Sequence, residues 1–92
     1  MPKIEFLKTP PAVLFKRETV FFGAYVDGKP VRCVVTFEAL LGPGIPDDLY
    51  ALAEFKEREA EIHQIAAAMI ERGEVRYGEV LIDRRALARS GR

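Results

Sequence analysis

An Asp-Gly pair between two apolar runs constrains this chain more than any other feature of its sequence. Asp27 and Gly28 join residues 19–26 to residues 29–37, and both runs are rich in valine and phenylalanine. A two-residue type I′ turn needs a positive φ at both central positions, which Asp and Gly tolerate better than most residues. The pair therefore predicts a β-hairpin over residues 19–37.

The turn also predicts which side chains share a face of the hairpin, because side chains alternate along a strand. One face is wholly apolar and contains Val20, Phe22, Ala24, Val26, Val31, Cys33, Val35 and Phe37. The second face, called the mixed face below, contains Thr19, Phe21, Gly23, Tyr25, Pro30, Arg32, Val34 and Thr36. We expect the apolar face to lie against the core and the mixed face to be partly exposed.

Residues 47–72 have the apolar spacing of one long amphipathic helix. Chain breakers at 42–46 precede it, Asp47 or Asp48 caps it, and Gly73 ends it. Its apolar stripe contains Ala51, Leu52, Phe55, Ile62, Ile65, Ala66, Met69 and Ile70. At about 1.5 Å per residue the helix is roughly 38 Å long, whereas a compact chain of this length is about 30 Å across. The helix therefore overhangs, bends or packs on a second copy, and we predict a homodimer through its exposed apolar part.

Shorter elements are predicted on both sides of these two. Residues 4–6 favour a short strand, and Thr9 followed by two prolines favours one helical turn over residues 10–15. Residues 74–82 favour another strand, with Gly78 at a bulge.

Length and composition indicate one globular domain over residues 1–92. An apolar fraction of 49% is ordinary for such a chain. Asp83 can cap a last short helix over residues 84–88, and the end of the basic tail 84–92 is expected to fray. No segment has the pattern of a membrane span or a signal peptide, and a single cysteine suits a reducing cytoplasm.

The sequence contains none of the usual catalytic or metal-binding patterns. Zinc sites need several cysteines or histidines at short spacings, and this chain has only Cys33 and His63. A thiol–imidazole pair is one interpretation, but Cys33 lies on the apolar face, where burial suppresses thiol reactivity. His63 follows Glu59 by four residues, so it hydrogen-bonds to that carboxylate or is simply exposed. We predict no enzymatic activity, no cofactor and no metal.

Two regions carry arginines that could bind an anionic partner. Arg32 lies on the mixed face beside Phe21 and Tyr25, which is a thin version of the aromatic and basic pattern of nucleic-acid-binding surfaces. Arg84 and Arg85 begin the basic tail, which could attract a polyanion. The helical segment is acidic and would repel one, so nucleic acid is not the favoured partner.

Arg58 is a further candidate, because it interrupts the apolar stripe of the predicted helix. Its stem can pack on the core while its guanidinium reaches water. Alternatively it forms a partly buried ion pair, with Glu38 as partner, or it lines an anion or ligand pocket between sheet and helix.

The residues of the hairpin and the helix together resemble a known family. The pattern comprises Val20, Phe22, Ala24, Gly28, Cys33, Thr36, Glu38, Ala39 and Leu40, followed by Phe55, Arg58, Ile62 and Ala66. It is similar to the small YrdB-like bacterial proteins, domain of unknown function 1488, over roughly residues 4–82. The resemblance implies one compact α+β domain in the bacterial cytoplasm, and it implies no activity.

The sequence thus predicts an α+β fold, in which an antiparallel sheet of three to four strands is built on the hairpin and packs against one long helix. The favoured function is a non-enzymatic protein-interaction or accessory domain. The alternative is a small module that binds a ligand or nucleic acid through Arg58 or the arginine-rich tail.

Overall fold

A computed structural model describes residues 2–42 and 48–90, without the side chains at 15, 48, 89 and 90, and these residues form five β-strands and four α-helices. The strands are β1 (Ile4–Phe6), β2 (Ala12–Leu14), β3 (Thr19–Val26), β4 (Lys29–Thr36) and β5 (Glu79–Ile82). The helices are α1 (Phe37–Leu41), α2 (Asp48–Glu57), α3 (Glu59–Glu71) and α4 (Arg84–Ser90), and a 3₁₀ turn covers Phe15–Arg17. The predicted α+β class is confirmed.

The hairpin of β3 and β4 has the predicted turn and register. Asp27 and Gly28 have φ values of 52° and 84°, and Val26 lies opposite Lys29. The Asp27 carboxylate also accepts a hydrogen bond from the Lys3 N–H (2.9 Å), and the Asp27 N–H donates to the Lys3 carbonyl (2.8 Å). The turn therefore anchors the N-terminal segment beside β3 as well as reversing the chain.

The sheet is mixed, and the prediction of an antiparallel sheet of three to four strands is wrong in this respect. Its order is β1-β3-β4-β5, with β2 also paired to β3. Strand β5 runs parallel to β4, with Leu81 opposite Val34. The connection explains this, because helices between two neighbouring strands return the chain to the end of the sheet where the first strand began.

The helical turn predicted over residues 10–15 is also wrong. Ala12–Leu14 form β2, which pairs with the first part of β3, whereas β1 pairs with its last part. Both short strands lie at the edge of the sheet, where the missing N–H groups of Pro10 and Pro11 disrupt no ladder. The loop of residues 7–11 between them therefore lies beside the middle of β3.

The last strand is shorter than the predicted 74–82 and begins at Glu79. Tyr77 and Gly78 have φ values of 55° and 73° and form a tight turn before it. Backbone hydrogen bonds between Arg76 and Glu79 in both directions, of 2.9 and 3.0 Å, close this turn. Gly78 is thus a turn residue, not the predicted bulge.

The single long helix predicted over residues 47–72 is two helices separated at Arg58. Arg58 has φ −112° and ψ 18°, outside helical values, although its N–H still donates to the Glu54 carbonyl (3.1 Å). The predicted end at Gly73 is confirmed by its φ of 77°. Asp47 and the predicted loop at 43–46 lie outside the described residues.

The break changes the argument for a homodimer. Helices α2 and α3 have 10 and 13 residues, and the longest dimension of the molecule is 36 Å. At about 1.5 Å per residue the two helices are roughly 15 and 20 Å long, so neither is the helix of roughly 38 Å on which the dimer argument depended. The homodimer itself stays a prediction.

The helices cover one face of the sheet, and the core lies between the two layers. Its buried members include the predicted hairpin residues Val20, Phe22, Ala24, Cys33, Val35 and Phe37 and the predicted helix residues Ala51, Phe55, Ile62, Ile65, Ala66, Met69 and Ile70. Asp83 caps α4 as predicted, because its Oδ1 accepts a hydrogen bond from the Ala86 N–H (2.9 Å). Part of the expected frayed tail is helical up to Ser90, and residues 91–92 lie outside the described residues.

Candidate functional site

The mixed face carries an open trough of about 660 Å³. Its floor consists of Phe21, Gly23, Tyr25, Pro30 and Arg32 on the two central strands. Leu7, Thr9 and Pro10 of the loop between β1 and β2 form one wall, and residues 77–79 form the other. Because the two walls stand at opposite edges of the sheet, the trough runs along β3 and β4.

Gly23 explains how the loop comes to lie over the floor. The Leu7 N–H donates to the Gly23 carbonyl (3.0 Å), which continues the pairing of β1 beyond its last residue. A Cβ at position 23 would lie 2.5 Å from Leu7 Cδ1, closer than two non-bonded carbon atoms approach each other. Glycine therefore allows the Leu7 side chain to pack directly on the backbone of β3.

An ion pair spans the sheet at one end of the trough. Arg17 follows β2 at one edge, Glu79 begins β5 at the other, and Arg17 Nη1 lies 2.8 Å from Glu79 Oε2. A second hydrogen bond joins Nη2 to Oε1 at 3.3 Å. These hydrogen bonds, together with the positive charges of Arg17 and Arg32, hold the pKa of the Glu79 carboxyl below its usual range. The carboxyl is consequently ionised at neutral pH and a weak base.

Arg32 is the second cation of the trough. Its guanidinium carbon lies 5.4 Å from the centre of the Phe21 ring, which is the geometry of a cation–π contact. The side chain is exposed, and its role as a candidate binding residue stays a prediction. Among the described residues, the ionic side chains that line the trough are therefore Arg17, Arg32 and Glu79, two positive and one negative.

The mixed face as a whole is less exposed to solvent than expected. Val34 and Thr19 are 0% and 2% exposed, although both face away from the helices. In contrast, Tyr25, Leu7 and Leu81 are 41%, 42% and 47% exposed. The face thus has a buried region near the start of β3 and an open apolar region in and beside the trough.

The other candidate arginines, Arg58, Arg84 and Arg85, lie outside the trough. Arg58 forms two hydrogen bonds with Glu61, from Nε to Oε1 (3.0 Å) and from Nη2 to Oε2 (3.1 Å), so the ion pair predicted with Glu38 is replaced by one with the first turn of α3. Arg58 and Arg84 line a separate depression of about 390 Å³ that also includes Glu38. Arg85 is exposed on α4.

Cys33 and His63 have the surroundings of core side chains. Cys33 is fully buried, and this burial raises the pKa of its thiol to about 12. His63 stacks on Phe6, with ring centres 4.2 Å apart, and burial lowers its pKa. Its Nε2 is 3.9 Å from Glu59 Oε2, too far for the predicted hydrogen bond. Within residues 2–42 and 48–90, no group of three or more potential ligands among His, Cys, Asp and Glu could hold a metal.

Sequence reasoning found Phe21, Tyr25 and Arg32 but missed the walls and the end of the trough. The Arg17–Glu79 pair joins residues 62 positions apart, and no local pattern marks it. Gly23 within a strand was an available signal, because an interior glycine often marks close approach of another segment.

A mixed sheet with helices on one face and a trough on the other defines a small α+β protein. The chain belongs to the family described as protein of unknown function (DUF1488), whose model matches residues 4–82. The narrower resemblance to YrdB-like proteins stays a prediction. No match was found among curated proteins.

A solved structure has a similar fold. It is the crystal structure of a protein of unknown function from the same family in Shewanella loihica PV-4, with a TM-score of 0.73 and 21% sequence identity. The similarity covers 88% of this chain and 92% of the other. At this identity it supports the fold alone. Among the described residues, no helix has both the length and the apolar character needed to cross a membrane.

Proposed function

We propose that this protein is a non-enzymatic interaction domain that holds its partner in the trough of the mixed face. The observation that carries the proposal is an exposed apolar surface, with Tyr25 and Leu7 each about two-fifths exposed, in the same trough as the Phe21–Arg32 contact. Exposed apolar surface bordered by charged groups is typical of interaction sites. Aromatic residues and arginine are also the residue types most enriched in such sites.

The chemistry of the trough supports binding better than catalysis. Glu79 accepts two hydrogen bonds from Arg17, and the lowered pKa of its carboxyl makes it a poor general base. The thiol of Cys33 is buried on the opposite face of the sheet. A buried cysteine without a disulfide partner also supports a reducing cytoplasm as the setting, and the family resemblance supports a bacterial one.

The alternative binding module based on Arg58 or the basic tail has less support. Arg58 is paired with Glu61, and the depression that it lines with Arg84 also includes Glu38, so two carboxylates offset the two arginines and leave no excess positive charge there. Arg85 is exposed but lies on α4, away from the aromatic residues of the trough. A homodimer through α2 and α3 is a further proposal. Its interface lies on the helices, so trough substitutions would leave it unchanged.

The proposal is tested by capturing partners from a lysate of the source cells on immobilised protein. The trough variant Arg32→Glu is compared with the matched variant Arg85→Glu, which makes the same charge change on an exposed arginine of the tail. We expect mass spectrometry to identify a protein that the wild type and Arg85→Glu retain and that Arg32→Glu loses by about tenfold or more, as expected for a charge reversal at an interface.

Equal capture by all three proteins would contradict the proposal, and loss with Arg85→Glu alone would support the tail instead. Because Arg32 lies on a central strand, its variant could fold poorly. Tyr25→Ser removes an exposed ring without changing charge and provides the second test. Both variants are first compared with the wild type by thermal unfolding.

A further inference from the structure

The geometry points to a short, extended peptide with a carboxylate side chain as the part of the partner that enters the trough. This inference rests on the proposed function, and it specifies the chemistry of the ligand at the same site. Three features carry it: the length of the floor, the excess positive charge at one end, and the apolar surface along the rest.

The floor has the dimensions of a few extended residues. Phe21, Gly23 and Tyr25 are alternate residues of one strand, so the outer two lie about 13 Å apart at roughly 3.3 Å per residue. An extended peptide of four residues covers the same distance. A trough of about 660 Å³ is of a suitable size for such a segment, because ligand sites usually measure roughly 300–1,000 Å³.

The positive charge is concentrated at the Phe21 end of the floor. Arg32 lies over Phe21, and Arg17 reaches across the sheet to Glu79. Arg32 is close enough to contribute to the lowered pKa of Glu79, so all three charges form one cluster with a net charge of +1. A carboxylate that approaches this cluster adds a second anion to two guanidinium groups. Arginine can bind carboxylates through two parallel hydrogen bonds, and it does so while stacked on an aromatic ring.

The remaining floor favours apolar side chains over a nucleic acid. Tyr25 and Leu7 offer an aromatic ring and an aliphatic side chain beyond the charged end. The two aromatic residues of the floor are too widely separated to stack adjacent bases, and a net charge of +1 provides little attraction for a phosphate backbone. A glutamate followed by apolar residues therefore matches the trough better than a polynucleotide.

The test is an NMR titration of the ¹⁵N-labelled full chain with three capped tetrapeptides. Each has three identical apolar residues after a first position that is glutamate, glutamine or lysine. We expect the glutamate peptide to shift the amide signals of Phe21, Gly23, Tyr25 and Arg32, and to bind about tenfold more tightly than the lysine peptide. A short single-stranded oligonucleotide is titrated in parallel.

Substitution of single arginines shows which side chains cause the preference for the glutamate peptide. Arg32→Gln should reduce the advantage of glutamate over glutamine severalfold, and Arg17→Gln should reduce it as well. Arg85→Gln, the matched control, should leave it unchanged.

Equal affinities for the three peptides, or tighter binding of the oligonucleotide to the same amides, would overturn the carboxylate assignment. So would binding that shifts only amides outside the trough. These results concern the ligand class alone. The interaction function itself fails only if partner capture is insensitive to Arg32→Glu and Tyr25→Ser, so the two failures are distinguishable.

Discussion

Gly23 and Leu7 form a close contact that shapes the trough. A strand interior normally disfavours glycine, by roughly 0.5–1 kcal/mol relative to alanine. Here the missing Cβ leaves room for Leu7, whose Cδ1 would lie 2.5 Å from it. Leu7 is 42% exposed, so its side chain can rotate away with little resistance.

Combining substitutions at these two positions should therefore give a non-additive result. Gly23→Ala in the wild type should change the free energy of unfolding little, because better strand propensity is offset by displacement of Leu7. In a Leu7→Ala background the same change should stabilise by about 0.5–1 kcal/mol. Urea denaturation of the four proteins measures both effects, and equal effects in both backgrounds would show that the contact does not matter.

His63 should make stability depend on pH. The ring lies against Phe6 and Phe22, and burial among them lowers its pKa from the ordinary 6.5, while Glu59 on the same helix opposes this shift. The folded state then binds fewer protons than the unfolded state, so stability is full above the ordinary pKa and falls as pH drops through and below it. Between pH 7.5 and 5.5 the wild type should lose more stability than His63→Leu, as measured by urea denaturation. An equal loss of unfolding free energy in the wild type and His63→Leu would refute this prediction.

Cys33 should be inert in the folded protein. Full burial raises the pKa of its thiol to about 12, so almost no thiolate forms at neutral pH. An aromatic disulfide reagent should react with it only after denaturation. Rapid, stoichiometric reaction in the native state would contradict this and would revive the thiol–imidazole interpretation.

The long apolar pattern divides into two helices at Arg58. Arg58 interrupts the apolar stripe, but the stripe resumes on the same helical spacing after it, so periodicity predicted one helix. Arg58 and Glu61 are three residues apart, a spacing that allows an ion pair in one continuous helix as well as across a break. The pair therefore does not mark the break in the sequence. The dimer hypothesis depended on this length, which shows how one unrecognised break affects a prediction about the whole molecule.

The ion pair itself can be tested by exchanging its charges. Arg58→Glu should destabilise by about 0.5–1 kcal/mol, and adding Glu61→Arg should recover most of that loss. Adding Glu38→Arg instead should recover little. Thermal unfolding of these variants decides between the two partners, and recovery with Glu38→Arg but not with Glu61→Arg would favour the partner expected from the sequence.

The hairpin was predictable because local chemistry determines it. The Asp27-Gly28 turn sets the register, and the register sets both faces, including the burial of Cys33. The direction of β5 depends instead on a long connection, and the strand at Ala12–Leu14 depends on an open edge of the sheet. Neither has a local signal as strong as an Asp-Gly pair.

At the scale of the whole molecule, the sheet has one face covered by helices and one face that forms the trough. The sequence indicated that Phe21, Tyr25 and Arg32 share this second face. It did not indicate Arg17 and Glu79, because they come from opposite edges of the sheet and meet only in the folded chain. The floor of the trough was therefore predictable, whereas its walls and its charged end were not.

Photo-cross-linking in cells tests most directly whether the trough is the interaction surface. A photoreactive phenylalanine analogue replaces either Tyr25, 41% exposed on the trough floor, or Tyr50, 67% exposed on α2. We predict a partner adduct from position 25 that Arg32→Glu abolishes, and none from position 50. An adduct from position 50 alone, with the mass of two copies of this chain, would contradict the account and place the interface on the helices.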